Sequence, residues 1–328
     1  MTITMLGVTQ SGKSTYVLGA YEELVHGTHG CFLHTADQNA GAEMIRDLNA
    51  LRSGDLPPPT PDKPIGHEFV LTRSGSTEQT AIDLTDFRGG AAFGVTRGKD
   101  GDTAQLHRRL VESDAIFIVL DSSHFTEPVT PSRLQAVREA TGADRFADML
   151  GKALSDRQLT GRHPPAVAIL LTKADLIDGR PGSVSREWDE LDSEVRMLMG
   201  PVAFQPHLGV RIFPVSVGGF STSPNGQSSA VKMDVRSAAD PVIFAVGCFL
   251  RACLLKVQQE REQALAACEK ASEQLYELTR SWPLIQWFLR SRIAVARAAL
   301  HQANDQVAAL DARLLELSQQ AQALLGSF

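Results

Sequence analysis

The sequence predicts an α/β domain with a mostly parallel sheet flanked by helices, followed by an α-helical coiled-coil hairpin. Three observations carry that prediction. As far as about residue 220, short β-rich runs alternate with helix-length segments. Two of those runs, AIFIVLD and AVAILLTK, are apolar almost throughout, as strands covered by helices on both faces must be. Beyond residue 240 the texture changes. No glycine falls between Gly247 and Gly326, and Pro283 is the only proline after Pro241, which reads as helix almost without interruption.

Taken in order, ITML is the first strand and STYVLGAYEELV the first helix, joined by a glycine-containing loop. HEFVLTR, TAIDLTDF, AIFIVLD, AVAILLTK and VRIFPVS supply the further strands. A polar insertion, residues 122–165, separates the two apolar runs and carries helical patterning around RLQAVREATG and RFADMLGKAL. Residues 54–66 and 218–229 are dense in Pro, Gly and Ser and read as mobile loops. The domain boundaries follow as 1–240 and 241–328. In the second part, apolar positions from Leu289 to Leu324 alternate spacings of four and three, a coiled-coil seam. Val257 to Trp282 keeps the same rhythm, with Arg261 as the one exception. Ser281 and Pro283 resemble an N-cap and an early-turn proline, which favours two antiparallel helices meeting near Trp282. A single helix kinked at Pro283 keeps the same phase.

Composition sets outer limits. The 328 residues are 43% hydrophobic and 21% charged, and mean hydropathy is near zero, as in a soluble globular protein. The longest apolar stretches, PVIFAVGCFL and AVAILL, are too short to span a bilayer. Strand-like residues begin at Ile3, so no signal peptide is expected and a cytoplasmic setting is. The net charge of −6 argues against coating nucleic acid. Cys31, Cys248, Cys253 and Cys268 show no CxxC spacing and read as structural thiols. The histidines form no HExxH or Cys/His pattern.

The chemistry begins with GVTQSGKS, Gly7 to Ser14, which fits G-x-x-x-x-G-K-S/T between a strand and a helix. Such a loop curls so that backbone N–H groups and the helix N-terminus face phosphates. The candidate nucleotide-binding residues are Gly7, Gln10, Ser11, Gly12, Lys13, Ser14 and Thr15. Lys13 reaches the β- and γ-phosphates and the Ser14 hydroxyl ligates magnesium (Mg2+). TAIDLTDF then runs into Asp86-Phe87-Arg88-Gly89. Asp86 is placed to hold the magnesium through water, and the Gly89 amide to sense the γ-phosphate. Asp83 competes for the metal role, or merely faces a neighbouring helix.

AVAILLTKADL ends its strand in Thr172-Lys173-Ala174-Asp175. A carboxylate there accepts from both the N1–H and the exocyclic amine of guanine, a donor pair that adenine lacks. Binding the analogue that lacks this pair would leave Asp175 buried and unpaired, so the site rejects it, by a factor that reaches about 10⁴. Lys173 stacks its stem over the base and braces the phosphate loop. Ser216, at the end of the next strand, offers a backbone amide to guanine O6.

The order GVTQSGKS, DFRG, TKAD, PVS resembles the motif series of the Ras-like (TRAFAC-class) P-loop GTPases over roughly residues 1–220. The start at the N-terminus and the PPPT segment are similar to the bacterial conflict-system double-GTPase group. The resemblance implies a switch cycling between GTP and GDP (GTP/GDP with Mg2+), with Thr60 as the switch I threonine that ligates magnesium and contacts the γ-phosphate. Thr35 is its rival, and a merely solvated loop threonine is the plainer reading. It also implies loops 54–66 and 89–101 that order around the γ-phosphate. Two departures stand out. Gly90 occupies the place of a water-orienting glutamine, so hydrolysis should be slow. Arg88, Arg97 or a partner's arginine would then stabilise charge, unless these arginines are simply solvated. Thr172 replaces the commoner asparagine, at the expected expense of one tether to the phosphate loop.

At the hairpin tip, Trp282, Trp287, Phe288, Arg290, Arg292 and Arg297 lie in a stretch with no acidic residue between Glu277 and Asp305. This fits filling of a helix corner, docking of a protein partner, or contact with a membrane surface as in dynamin-like GTPases. The coiled-coil seam buries its stripe in the same chain or against a second copy. The expectation is a guanine-nucleotide switch whose arm recruits a protein effector or activating partner, without nucleic acid. A P-loop ATPase or small-molecule kinase, and a nucleotide-stabilised scaffold, are the alternatives.

Overall fold

The computed structural model describes residues 1–55, 64–75, 78–87, 100–179, 184–206, 208–218, 233–280 and 290–326. They divide into two compact units, Met1–Val246 and Gly247–Phe328.

The first unit is an α/β sandwich. Its elements are β1 (Thr2–Gly7), α1 (Lys13–Val25), β2 (Cys31–Thr35), α2 (Gln38–Arg52), β3 (Ile65–Arg73), β4 (Gln79–Asp86), α3 (Asp100–Glu112) and β5 (Ala115–Asp121). These are followed by α4 (Pro131–Thr141), α5 (Ala143–Leu159), β6 (Ala166–Thr172), α6 (Trp188–Met199), β7 (Val210–Pro214), β8 (Ser216–Gly218) and β9 (Met233–Arg236). Seven strands form one sheet in the order β2-β3-β4-β1-β5-β6-β7, and β8 pairs with β9. β1 runs parallel to β4 and β5, and the parallel set continues through β6 to β7. Within this sheet β3 runs antiparallel to its neighbours β2 and β4, and β8 runs antiparallel to β9.

Every residue of β5 and β6 is buried, which is why both read as unbroken apolar runs. They pack against Phe146, Leu150 and Ala153 of α5 and against Val195 and Leu198 of α6 within one core cluster. The stretch that read as a polar insertion is therefore half core: α4 and α5 meet at Gly142, whose φ of 72° lets one helix end and the next begin. Arg157 of α5, 5% exposed, donates to the carbonyl oxygens of Val111, Ser113 and His163, and burial pulls its pKa below the usual guanidinium value.

Two strands lie outside the sequence expectation. β2 is an edge strand of five residues; only Cys31 and Leu33 face inward as buried residues while His34 is exposed, too short an alternation to stand out. β9 follows residues 219–232, which lie outside the described residues, and its four residues are none of them buried. VRIFPVS also divides, because Val215 separates β7 from β8.

The sheet register brings the carboxyl ends of four parallel strands together. Met5 lies opposite Asp86, Gly7 opposite Val119, and Asp121 opposite Thr172. From β1 the chain moves outward to one side and returns to β5 on the other, so the crevice beside β1 is the switch point where open α/β sheets bind ligands.

The helix α7 (Asp240–Thr279) starts where the composition changes, and its first two turns, through Val246, belong to the first unit. The second unit pairs the rest of α7 with α8 (Arg290–Leu325). The pair is antiparallel. Gly247 approaches Leu325, Arg261 forms an ion pair with Asp311, and the Cys268 thiol lies 3.5 Å from Asn304 Oδ1. Of the two sequence readings this is the hairpin, not the kinked helix. Ala264, Ala271, Ala296 and Ala303 are buried seam positions whose small size allows close approach, and the larger Leu250, Val257, Leu317 and Leu324 are buried as well. Arg261, the exception in the seam, is accounted for by Asp311. The tip residues Trp282, Trp287 and Phe288 lie outside the described residues. Among the described residues no helix is long and apolar enough to cross a membrane.

The register is open to test. With Asn304→Cys, oxidation should join the new thiol to Cys268 within one chain, whereas Asp311→Cys should give no link to Cys268; peptide mapping reads both. The reverse pattern contradicts this register.

Candidate functional site

The site is built on a loop that only certain backbones can make. Gly7 ends β1, and a Cβ there would lie 2.6 Å from Ser11 Oγ and 3.1 Å from the Val119 carbonyl oxygen. Gln10 and Gly12 take left-handed conformations, with φ of 66° and 89°. Glycine adopts that region freely, and Gln10 adopts it at some strain. The Tyr16 N–H then donates to the Gly12 carbonyl at 2.8 Å, closing the first turn of α1.

Lys13 is 4% exposed. Its ammonium donates to the carbonyl oxygens of Gly7 and Val8, both at 3.0 Å. Burial pushes its pKa down, while the nearby Asp86 charge acts in the opposite sense. The Ser14 hydroxyl donates to Asp86 Oδ2 at 3.3 Å, so a hydroxyl from α1 and a carboxylate from β4 stand side by side, with Asp86 only 1% exposed. Thr15 follows, half-buried. Asp83 is engaged elsewhere. It forms an ion pair with Arg109 of α3, which also donates to Thr85 Oγ1 at 3.0 Å. Thr35 is also remote, since β3 and β4 separate its strand from β1.

The end of β6 clasps the loop from above. Thr172 Oγ1 lies 2.6 Å from the Ser11 carbonyl oxygen and 3.1 Å from that of Leu120. The expected loss of a tether through threonine is thus corrected, because the hydroxyl itself reaches the loop. A Cβ on Gly12 would stand 3.3 Å from the Thr172 side chain, so loop and strand end are in contact. Lys173, in a left-handed conformation with φ of 55°, donates to the Gln10 carbonyl at 3.3 Å and forms an ion pair with Asp121. Asp175, in the short 3-10 turn Ala174–Leu176, accepts a hydrogen bond at 3.0 Å from the Ser216 hydroxyl. Backbone bonds from Ala174 to Val215 and from Val215 to Leu171 lock the two loops together.

Gly7, Gln10, Ser11, Gly12, Lys13, Ser14, Asp86, Thr172, Lys173, Asp175 and Ser216 therefore gather at one edge of the sheet. Thr60, Arg88 and Gly89, with Gly90 and Arg97, lie outside the described residues. Two contributions were not anticipated. Ser216 donates through its hydroxyl to Asp175, where the sequence reading uses only its backbone amide. Asp121 is the second: it ends the apolar strand β5, and in the sequence that position alone gives it no role.

A loop of this shape opening a helix, with a buried lysine and a Ser/Asp pair beside it, defines a P-loop nucleotide-binding protein. The model of one family, Double-GTPase 2, matches residues 1–204, and the chain belongs to that family. It is accordingly a GTP-binding protein. No curated protein matches the sequence. Among solved structures, the chain is similar to the signal recognition particle receptor SRb-GTP/SRX complex from Chaetomium thermophilum, at 14% identity over 67% of this chain and 92% of that one, with a TM-score of 0.36. It is also similar to a crystal structure of an SsGBP mutation variant, at 16% identity over 66% of this chain and 48% of that one, with a TM-score of 0.29.

Thr172→Val removes the hydroxyl and strands a buried carbonyl. Urea denaturation should show a loss of about 1–3 kcal/mol; an unchanged midpoint would show that the Ser11 contact does not hold the loop.

Proposed function

We propose that this protein is a guanine-nucleotide switch that binds GTP and GDP with magnesium, hydrolyses GTP slowly, and signals to a protein partner. The observation that carries this reading is Asp175. Its carboxylate stands at the carboxyl edge of the sheet, beside the phosphate loop, and the Ser216 hydroxyl fixes one oxygen. A carboxylate held this way accepts two parallel N–H donors of a guanine edge; an adenine edge would leave it unpaired.

The other residues take roles their chemistry suits. Lys13 places its charge against the β- and γ-phosphates, exchanging loop carbonyls for phosphate oxygens as acceptors. The Ser14 hydroxyl and the Asp86 carboxylate fit magnesium, a hard cation that takes oxygen ligands and keeps several waters; Thr60 would complete the set. Bound magnesium supplies neutralisation of the phosphate charge. Arg88 and Gly89 stand two and three residues beyond Asp86 in the sequence and are suited to stabilise charge and to sense the γ-phosphate. Gly90 offers no side chain to orient water, which supports slow turnover unless a partner supplies an arginine. Residues 247–328 act as a coiled-coil arm for an effector or activating protein, or for a second copy of the chain.

Calorimetric titration of nucleotide-free protein in magnesium tests the reading. GTP and GDP should bind with micromolar or tighter affinity, ATP should not, and phosphate release should be slow. Asp175→Asn should cut the preference for GTP over ATP by about 100-fold or more. An unchanged preference refutes the base assignment, and tight ATP binding by the unaltered chain moves it to the ATPase or kinase class. Lys13→Ala should abolish measurable binding of either guanine nucleotide.

A further inference from the structure

Asp121 ends β5, between the strand that leads into the phosphate loop and the strand that leads into the base loop. Its side chain is 12% exposed and forms an ion pair with Lys173, whose side chain is 43% exposed. The same carboxylate accepts a hydrogen bond at 2.9 Å from the Ser123 N–H, capping the 3-10 turn Ser122–Phe125. Lys173 in turn donates to the Gln10 carbonyl at 3.3 Å, at the residue whose φ is 66°. Asp121, Lys173 and Gln10 thus link the ends of β5 and β6 to the most strained residue of the phosphate loop.

A lysine carries its charge on a flexible four-carbon stem and, when half-exposed, loses much conformational freedom on being ordered. One backbone carbonyl is a weak reason for it to stay. A nearly buried carboxylate at the end of a rigid strand is a strong one, because a charge-assisted hydrogen bond in reduced dielectric is about twice as strong as a neutral one.

We propose that Asp121 is a positioning residue for the nucleotide. Its charge holds Lys173 across the phosphate loop, so that the curl at Gln10 and the lysine stem facing the base are set before nucleotide arrives. It touches no part of the ligand; it raises affinity by removing the ordering cost from the binding step. This rests on the guanine-nucleotide reading above.

The competing role is purely structural, the cap on Ser123. Asp121→Asn separates the two, since asparagine caps as well as aspartate but carries no charge. Titrations of GDP and GTP in magnesium would compare the unaltered full chain, D121N, K173M and the double variant. D121N should weaken both nucleotides about tenfold or more, and should add nothing in the K173M background. Unchanged affinity in D121N overturns the proposal, as does a D121N loss that persists undiminished beside K173M. Should D121N not fold, Lys173→Arg, which keeps the ion pair, should bind at least about tenfold tighter than K173M; equal affinities overturn the proposal. An unaltered chain that binds no guanine nucleotide overturns the guanine reading and this inference together, whereas binding indifferent to D121N overturns this inference alone.

Discussion

The site depends on one electrostatic constraint: an ammonium group, Lys13, is almost fully withdrawn from water. A buried charge is tolerated only when it is hydrogen-bonded on several sides. Here the acceptors are the carbonyl oxygens of Gly7 and Val8, a few residues upstream on the same loop. For those oxygens to converge, the chain must reverse tightly between β1 and α1. That reversal uses left-handed backbone at Gln10 and Gly12 and leaves no room for a side chain at Gly7. Loop shape and lysine charge therefore specify one another.

A loop held in this shape stores strain, and the strain must be balanced outside it. The balance comes from the neighbouring strand ends. Thr172 reaches Ser11, and Lys173 reaches Gln10. Both staples come from the segment that also presents Asp175. The parallel register of β1, β5 and β6 is what makes this possible, because it brings three strand ends to one level. The loop between β1 and α1 and the segment from Thr172 to Asp175 are consequently one mechanical unit rather than two adjacent ones.

How much of this was legible in the sequence follows from where each signal resides. β5 and β6 are readable because full burial makes every residue before their last apolar, and the phosphate loop because its chemistry is local to eight residues. Asp83 and Asp86 were not separable, since the deciding contact comes from Arg109, on a helix that packs there only in the folded chain. β2 escaped notice because an edge strand needs only two inward residues. Residue type alone suggests that Thr172 loses a tether; its hydroxyl nevertheless reaches the Ser11 carbonyl, a closeness that only the folded chain shows. Asp121 carried a faint signal, a carboxylate closing an apolar strand, which has meaning only once Lys173 is seen beside it.

The second unit shows a different division between energy and specificity. Among its described buried residues, Ala264, Ala271, Ala296 and Ala303 fall in one half and the larger Leu250, Val257, Leu317 and Leu324 in the other, and the alanine half discriminates weakly between alignments one heptad apart. Arg261 and Asp311 are 37% and 49% exposed, so their attraction is screened and worth at most about 1 kcal/mol. A slide of seven residues would nevertheless set Arg261 against Asn304 or Ser318, neither of which carries a charge. It would also separate the Cys268 thiol from Asn304. An arginine in the seam gives up hydrophobic burial, and what it returns is a register in which only one alignment satisfies it. The residue that breaks the heptad rhythm in the sequence thus adds a preference for one alignment to that of the larger buried positions, Leu250, Val257, Leu317 and Leu324.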